Sequence, residues 1–215
     1  MEERFIEVKR TAAYTVLGDV GQVGESLTLA CHGYGQLASY IASKFKGLTP
    51  NGHALISAEG LNKFYWEGVS GDPVATWMTK KNRLEEIKDF SSYLDQLNRR
   101  YLHPSASKKK VLLGFSQGGT TLWRWIHKSK PDFDVFINWA GWIPEDIDLK
   151  SLNPYLANKK LIYVYGHQDQ YLTEDRLRMG NQIIERNELD IEKITFDGPH
   201  RIDSLELEKI YKEYI

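Results

Sequence analysis

The stretch Gly114-Phe115-Ser116-Gln117-Gly118 places a serine between two glycines, directly after the apolar run Lys110–Gly114. The run predicts a buried strand, and Thr120–Ile126 predicts the start of a helix. A serine at such a junction lies in a tight strand-to-helix turn, with its hydroxyl held clear of the sheet. The glycines fit because a Cβ at either position would collide with the neighbouring strand or helix. The alternative is an ordinary glycine-rich loop, which the strand-then-helix context disfavours. The stretch therefore predicts Ser116 as a nucleophile.

The composition argues against several classes of protein. The 215 residues carry a formal net charge of −1, which provides no basic field for nucleic acid and no polybasic membrane anchor. Cys31 is the only cysteine, so no intramolecular disulfide can form and a reducing compartment is the simpler expectation. The first ten residues lack the apolar core of a secretion signal, and no stretch approaches the ~18 apolar residues of a membrane span. We expect one domain over residues 1–215, located in the cytoplasm, without integral membrane association or a nucleic-acid partner.

Predicted strands alternate with predicted helices along most of the chain. The N-terminal segments Phe5–Arg10 and Ala13–Leu17 alternate like strands and predict an antiparallel hairpin. Further strands are predicted at Leu27–Cys31, Ala54–Ser57, Lys110–Gly114, Val135–Trp139, Leu161–Tyr165 and Ile191–Phe196, and helices at Leu37–Phe45, Asn82–Tyr101, Thr120–Ile126, Thr173–Glu185 and Ser204–Tyr214. Such alternation predicts an α/β fold with a mostly parallel central sheet and helices on both faces. Functional side chains then belong in the loops at the carboxyl ends of the strands.

A serine nucleophile needs a histidine base, and His200 is the best placed of the six histidines. It follows the last predicted strand, in a loop that Gly198 and Pro199 shape so that it can reach back over the sheet. The alternative is a histidine in a surface loop. The other five lie at the wrong end of the sheet (His53, His103), within a helix (His127), or in Gly-flanked turns where bonding to the backbone is plausible (His32, His167).

The acid that orients the histidine is expected at Asp169, directly after the strand Leu161–Tyr165. The chain order serine, aspartate, histidine is the one expected of an α/β-hydrolase. Three acids are rivals. Glu174 and Asp175 fall in the first turn of a helix, where helix electrostatics explain acidic residues. Asp197 is too close in sequence to the histidine to approach its ring from the far side.

An oxyanion hole needs two preset N–H donors, because a negative charge develops on the carbonyl oxygen during acyl transfer. The N–H of Gln117 follows the nucleophile directly. The second donor is expected from the loop His32–Gln36 after the first parallel strand, where the glycines let the backbone turn its amides inward, and Tyr34 is the candidate. The alternative is a glycine-rich loop that merely turns the chain.

Together these motifs resemble the phospholipase/carboxylesterase family of small α/β-hydrolases, which includes carboxylesterases, lysophospholipases and acyl-protein thioesterases. The resemblance spans Leu27–Ile215 and depends on four strings: His32-Gly-Tyr-Gly35, Gly114-Phe-Ser-Gln-Gly-Gly119, Gly166-His-Gln-Asp169 and Gly198-Pro-His200. It implies a triad of Ser116, Asp169 and His200, with an oxyanion hole from the N–H groups of Tyr34 and Gln117. The chain departs from the family after the acid, where Gln170-Tyr-Leu-Thr stands, at Pro199, and across Gly60–Thr79.

The connection Asn62–Met78 is rich in aromatic residues and is predicted as a long loop. Loops of this length in a compact domain are usually functional or mobile. We expect an acyl or aromatic substrate pocket above the serine, walled by Phe64, Tyr65, Trp66 and Trp77, with Tyr34 and Trp142 as further candidates. The alternative is that these rings bury the loop against the long helix.

These features predict a serine hydrolase that cleaves a small-molecule carboxylic ester or thioester through an acyl-enzyme. No cofactor or metal is expected, because no phosphate loop, nucleotide motif or metal-ligand spacing occurs. The alternative enzyme is a lysophospholipase or another acyl hydrolase with the same triad. The alternative from a different class is a binding domain that keeps the fold without turnover.

Overall fold

The computed structural model describes residues 1–215, which form a seven-stranded sheet, a separate two-stranded sheet and six α-helices. The strands are β1 Tyr14–Leu17, β2 Ser26–Cys31, β3 His53–Ala58, β4 Asn62–Tyr65, β5 Pro73–Thr76, β6 Lys109–Phe115, β7 Val135–Trp139, β8 Lys160–Gly166 and β9 Ile191–Phe196. The helices are α1 Ala38–Phe45, α2 Arg83–Leu97, α3 Gln117–Ser129, α4 Asn153–Leu156, α5 Glu174–Arg186 and α6 Ser204–Tyr214. A π-helical turn at Asn98–Leu102 extends α2, and short 3₁₀ turns occupy Lys46–Asn51 and Lys150–Leu152.

The large sheet has the strand order β1-β3-β2-β6-β7-β8-β9, and every pairing except that of β1 with β3 is parallel. Its inner strands β2, β3 and β7 are buried along their whole length because helices cover both faces. In β6, Leu112 belongs to one core cluster, while Leu113 and Phe115 belong to the other. Helices α2, α3 and α5 pack on the first face, and α1 and α6 pack on the second. The predicted fold class is confirmed.

The N-terminal antiparallel pairing is present, but its partner differs from the prediction. β1 pairs with β3, with Tyr14 opposite Ala58, and residues 1–13 form no strand. The apolar side chains of Phe5–Arg10 have nothing to bury against, and Phe5, Ile6 and Val8 are exposed. Two exposed ion pairs connect the segment to the region of α2. Glu3 pairs with Lys81, which precedes the helix, and Glu7 pairs with Lys88, which lies within it. The outer edge of β1 is therefore left without a partner strand, and the predicted hairpin with Phe5–Arg10 does not form.

The connection predicted as a structureless loop forms an antiparallel hairpin of β4 and β5, so that prediction is wrong. Phe64 lies opposite Val74 in this hairpin. Gly68 and Gly71, with φ values of 81° and 84°, supply the left-handed conformations that its turn requires. The hairpin is also tied to the loop after β2, since Gly35 N–H donates to Ala75 O at 3.0 Å. Main-chain pairing therefore orders this segment.

The direction of the crossovers reverses between β2 and β6. The chain moves from β2 to β3 on one side and from β6 through β7 to β9 on the other. At such a reversal the loops after the two strands separate and leave a crevice at their carboxyl ends. The loop His32–Gln36 and the turn at Ser116 meet there. None of the helices combines the length and apolar character that crossing a bilayer requires.

Candidate active site

Ser116 lies at the turn between β6 and α3 with φ 52° and ψ −117°. Non-glycine residues rarely adopt this conformation, and it persists only where the surrounding structure imposes it. Here the Ser116 N–H donates to Trp139 O at 2.8 Å, and the Ser116 carbonyl accepts from Gly119 N at 3.0 Å. The strained turn is therefore held from both sides, by the neighbouring strand β7 and by the first turn of α3.

The glycines around Ser116 are required by close backbone approaches. A Cβ at Gly118 would overlap the carbonyl oxygen of Cys31, and a Cβ at Gly114 would overlap the backbone of Gly119. These approaches seat the first turn of α3 directly on the end of β2. The serine hydroxyl is consequently presented above the sheet, next to the loop that follows β2.

His200 connects Ser116 to Asp169. Its Nε2 lies 2.9 Å from Ser116 Oγ, and its Nδ1 lies 2.6 Å from Asp169 Oδ2. The other carboxylate oxygen, Oδ1, accepts the N–H groups of Tyr171 at 2.9 Å and Leu172 at 3.3 Å. Because the carboxylate accepts all of these bonds, Nδ1 carries the proton and Nε2 is free to accept the serine proton. The Asp169 side chain is only 1% exposed and that of His200 is 11% exposed, so solvent competes little for either bond.

Two rings hold the imidazole in place. Phe115 lies 4.9 Å from the His200 ring between centroids, and Tyr171 packs edge-on at 4.8 Å. Tyr171 thus acts on both members of the pair, through its ring on His200 and its N–H on Asp169. The sequence interpretation noted Tyr171 only as a departure from the family. Its position two residues after Asp169 was the feature of the sequence that could have indicated these contacts.

The two predicted oxyanion donors are both unpaired. The Tyr34 N–H bonds to no other group of the protein, and Gln117 N begins α3, where a backbone N–H has no partner within the helix. The side chain of Gln117 is fully used: Oε1 accepts from Thr76 Oγ1 and Trp77 N at 3.0 Å each, and Nε2 donates to Met78 O at 2.8 Å. Gln117 therefore also fastens the turn at Ser116 to the end of β5 and the two residues that follow it.

His32 has a structural role at the start of the loop His32–Gln36. Its Nδ1 lies 2.7 Å from Gly33 O, and its Nε2 accepts the Gly60 N–H at 2.9 Å. One nitrogen must donate and the other must accept, so the ring is neutral. Burial lowers the pKa of His32 in agreement with these bonds. The ring joins the loop after β2 to the loop after β3, which is the backbone-bonding role considered for it from the sequence.

We expect the melting temperature to fall as the pH decreases below about 6.5. Burial lowers the pKa of both His32 and His53, so the unfolded chain binds protons more readily than the native protein in this range. Stability is then present above the unfolded pKa and is lost as the pH falls toward the folded pKa. Each 1 kcal/mol lost lowers the melting temperature of a chain of this size by about 2–4 °C. Thermal denaturation between pH 5 and 8 measures the effect.

The matched variants for this measurement are His32→Gln and His103→Gln. The first removes a proton acceptor that faces Gly60 N–H, so its melting temperature should depend less on pH than that of the wild type. The second changes an exposed histidine and should keep the wild-type dependence. Equal pH dependence in all three proteins would contradict the role assigned to the buried ring.

A cavity of about 460 Å³ opens beside Ser116 and His200. Trp142 lines it, as the sequence predicts, together with Tyr171, Leu172, Arg176 and Met179, which the sequence did not indicate. The four aromatics of the hairpin region, Phe64, Tyr65, Trp66 and Trp77, do not line it.

The hairpin aromatics lie away from the cavity beside Ser116 for two different reasons. Trp77 is buried in the core, where its ring packs on Phe90 and its Nε1 donates to His32 O at 2.9 Å. Phe64 and Trp66 gather with Tyr34 on the outer surface, with the Tyr34 and Phe64 ring centroids 5.3 Å apart. Strand formation sets these directions, because alternate residues of β4 point to opposite faces.

Two of the three rival acids have other partners. Asp197 accepts from Gln168 Nε2 at 2.7 Å, and Asp175 pairs with Arg178. Cys31 is fully buried, and burial raises its pKa well above the ordinary value of a thiol, so it is not a nucleophile. No three His, Cys, Asp or Glu side chains are grouped closely enough to hold a metal ion.

The arrangement meets the geometric requirements of acyl transfer. A hydroxyl lies within hydrogen-bond distance of an imidazole, the imidazole is oriented by a buried carboxylate, and an unpaired N–H follows the hydroxyl directly in the chain. Ser116, Gln117 and His200 all line the adjoining cavity.

Comparison with known proteins identifies the family and the fold of the chain. The family model described as "Serine hydrolase (FSH1)" matches residues 25–209. Similar solved structures include esterase PE8, 14% identical over 96% of this chain and 100% of that chain with a TM-score of 0.70. They also include acyl-protein thioesterase 2 of Zea mays (13% identical, 94% and 97% covered, TM-score 0.69) and SOBER1 of Arabidopsis thaliana (15%, 87% and 96%, TM-score 0.61). None of the curated proteins compared with the chain matches it significantly. At these identities the structural likeness shows a shared α/β-hydrolase fold.

Proposed function

Because the chain belongs to the serine hydrolase (FSH1) family, we propose that it hydrolyses a carboxylic ester or thioester with Ser116 as the nucleophile. His200 is the general base and Asp169 orients it. The observation that carries this proposal is the unbroken hydrogen-bonded series from Asp169 through His200 to Ser116, at 2.6 and 2.9 Å, at the edge of a cavity.

The reaction proceeds in two halves. Ser116 Oγ attacks the carbonyl carbon while its proton passes to His200 Nε2, and the N–H groups of Tyr34 and Gln117 stabilise the resulting oxyanion. Collapse of this intermediate expels the alcohol or thiol, which takes the proton from the imidazolium. Water, deprotonated by His200, then attacks the acyl-enzyme and releases the acid, which regenerates the serine. Asp169 stays ionised throughout and stabilises the imidazolium.

The acyl class of substrate has two supports. An esterase and an acyl-protein thioesterase are among the proteins that share the fold at nearly full length. The cavity beside the serine also has an apolar part, formed by Trp142, Leu172 and Met179, against which a hydrocarbon portion of an acyl group can pack.

We expect a fluorophosphonate probe to label the native protein once, on Ser116. The phosphorus of the probe is attacked by an activated serine, so labelling requires the base as well as the hydroxyl. Mass spectrometry of the labelled peptides locates the adduct. His200→Ala should remove labelling while leaving Ser116 in place.

Two labelling results would contradict the proposal. No adduct on the native protein, or an adduct on another residue that His200→Ala does not affect, would favour a binding domain without turnover. Assays with esters and thioesters of increasing acyl length then separate a short-chain esterase from a lysophospholipase-like enzyme.

A further inference from the structure

A second cavity of about 460 Å³ adjoins the one that contains Ser116. The two share Gln117, Thr120 and Trp142 as lining residues, so they form neighbouring parts of one cleft. Thr120 Oγ1 donates to Trp142 O at 2.8 Å, which fixes the boundary between them. A substrate whose carbonyl lies at Ser116 can therefore extend past this boundary into the second cavity.

Arg124 lines the second cavity and is almost entirely removed from solvent, with its side chain 7% exposed. A guanidinium has five N–H donors and stays charged. In this protein only Nη2 has a partner, Asp146 Oδ1 at 2.6 Å, while Nε and Nη1 are buried without any. Leaving donors of a buried charge unpaired is costly, so the charge of Arg124 is only partly compensated within the protein.

The charges around the second cavity favour one negative charge on the ligand. Its lining includes three basic side chains, Lys80, Arg83 and Arg124, and two acidic ones, Glu145 and Asp146. Asp146 pairs with two arginines, because one of its oxygens bonds to Arg124 and the other lies 3.6 Å from Arg83 Nη1. The lining is thus left with a single net positive charge. A carboxylate matches this charge and the planar shape of a guanidinium, whereas a doubly charged phosphate exceeds it.

Helix α3 sets the separation between this charge and the nucleophile. Arg124 is eight residues after Ser116, which corresponds to about 12 Å along a helix. Helical side chains lean toward the N-terminus, so the guanidinium lies closer to the serine than its own Cα does. Thr120 lies one turn before Arg124 on the same face. A short acyl chain can span the remaining distance.

We propose that Arg124 binds a carboxylate carried by the substrate, so that the preferred substrate is a monoester or monothioester of a short dicarboxylic acid. The ester carbonyl lies at Ser116 and the free carboxylate lies in the second cavity. This inference rests on the proposed function, because it concerns the substrate of the same serine.

The test compares 4-nitrophenyl hexanoate with the 4-nitrophenyl monoester of adipic acid. The two acyl chains have the same number of carbon atoms, and a carboxylate replaces the terminal methyl group in the second. The wild type should prefer the anionic ester in kcat/KM. Arg124→Gln should reduce the ratio of anionic to neutral kcat/KM by about 10–100-fold, the range expected for a hydrogen bond to a charged group. Lys128→Gln removes the same charge from an exposed position on α3 and should keep the wild-type ratio.

A second variant covers the case in which Arg124→Gln does not fold. Asp146→Asn removes the carboxylate that competes for Arg124, and Asp146 is exposed enough to tolerate the change. This variant should raise the preference for the anionic ester. Adipate binding to Ser116→Ala protein, measured by calorimetry, gives a readout that does not depend on turnover.

The results that overturn this inference differ from those that overturn the proposed function. Serine-dependent hydrolysis of the neutral ester, with equal kcat/KM for both esters, would contradict only the carboxylate site. So would a preference that is lost in Arg176→Gln but kept in Arg124→Gln, because Arg176 is the one arginine that lines the catalytic cavity. Absence of hydrolysis of either ester, with no fluorophosphonate adduct, would contradict the proposed function instead.

Discussion

Ser116→Ala should reduce kcat for ester hydrolysis by about 10⁴-fold or more, the loss expected when an activated serine nucleophile is removed. The substitution deletes the atom that attacks the carbonyl and leaves His200 Nε2 without its 2.9 Å partner. KM should change little, because the cavity walls and the oxyanion N–H groups remain. Steady-state kinetics with a 4-nitrophenyl ester, at enzyme concentrations high enough to detect the residual rate, measures the change.

The control for this substitution is Ser92→Ala, which removes an exposed hydroxyl on α2 that lines neither cavity. It should keep wild-type activity. The melting temperature of Ser116→Ala should stay close to that of the wild type, because alanine occupies the same strained turn without needing a hydrogen-bond partner. A variant that folds normally and keeps more than a tenth of the activity would remove Ser116 from the mechanism.

Asp169→Asn should lower kcat by about 10⁴-fold, although it changes only one atom of the side chain. Two backbone N–H groups, of Tyr171 and Leu172, already donate to Oδ1, so the amide oxygen must take that position. The amide NH₂ then faces His200 Nδ1, which can no longer donate. The ring must carry its proton on Nε2, where it opposes the Ser116 hydroxyl instead of accepting its proton.

Asp197→Asn is the matched control, because Asp197 lies near His200 in sequence but bonds to Gln168. It should retain most of the activity. Comparable losses in both variants would contradict the assignment of the acid.

Much of the fold could be predicted because its helices and strands are locally encoded. β7, β9 and α6 have the predicted bounds, and most other elements differ by a few residues at their ends. Buried parallel strands require uninterrupted apolar runs, and the helices that cover them require apolar residues at helical spacing. The failures occurred where this coding is weak. Phe5–Arg10 alternates like a strand but has no apolar surface against which to bury its side chains, and the β4–β5 hairpin is held by main-chain bonds that side-chain patterns do not report.

The sequence of 215 amino acids indicates the proposed chemistry through short motifs. The turn at Ser116, the loop His32–Gln36 and the loop Gly198–His200 each depend on glycines and polar residues that are close together in sequence. The walls of the substrate cleft are different. Thr120, Arg124, Trp142 and Tyr171 come from three separate segments, and each serves the cleft only because β6, β7 and β8 lie side by side. Which aromatic ring faces the serine, and which arginine keeps unpaired donors, depends on the direction of each side chain after the sheet has assembled. That direction is a property of packing between distant segments, and no local pattern records it.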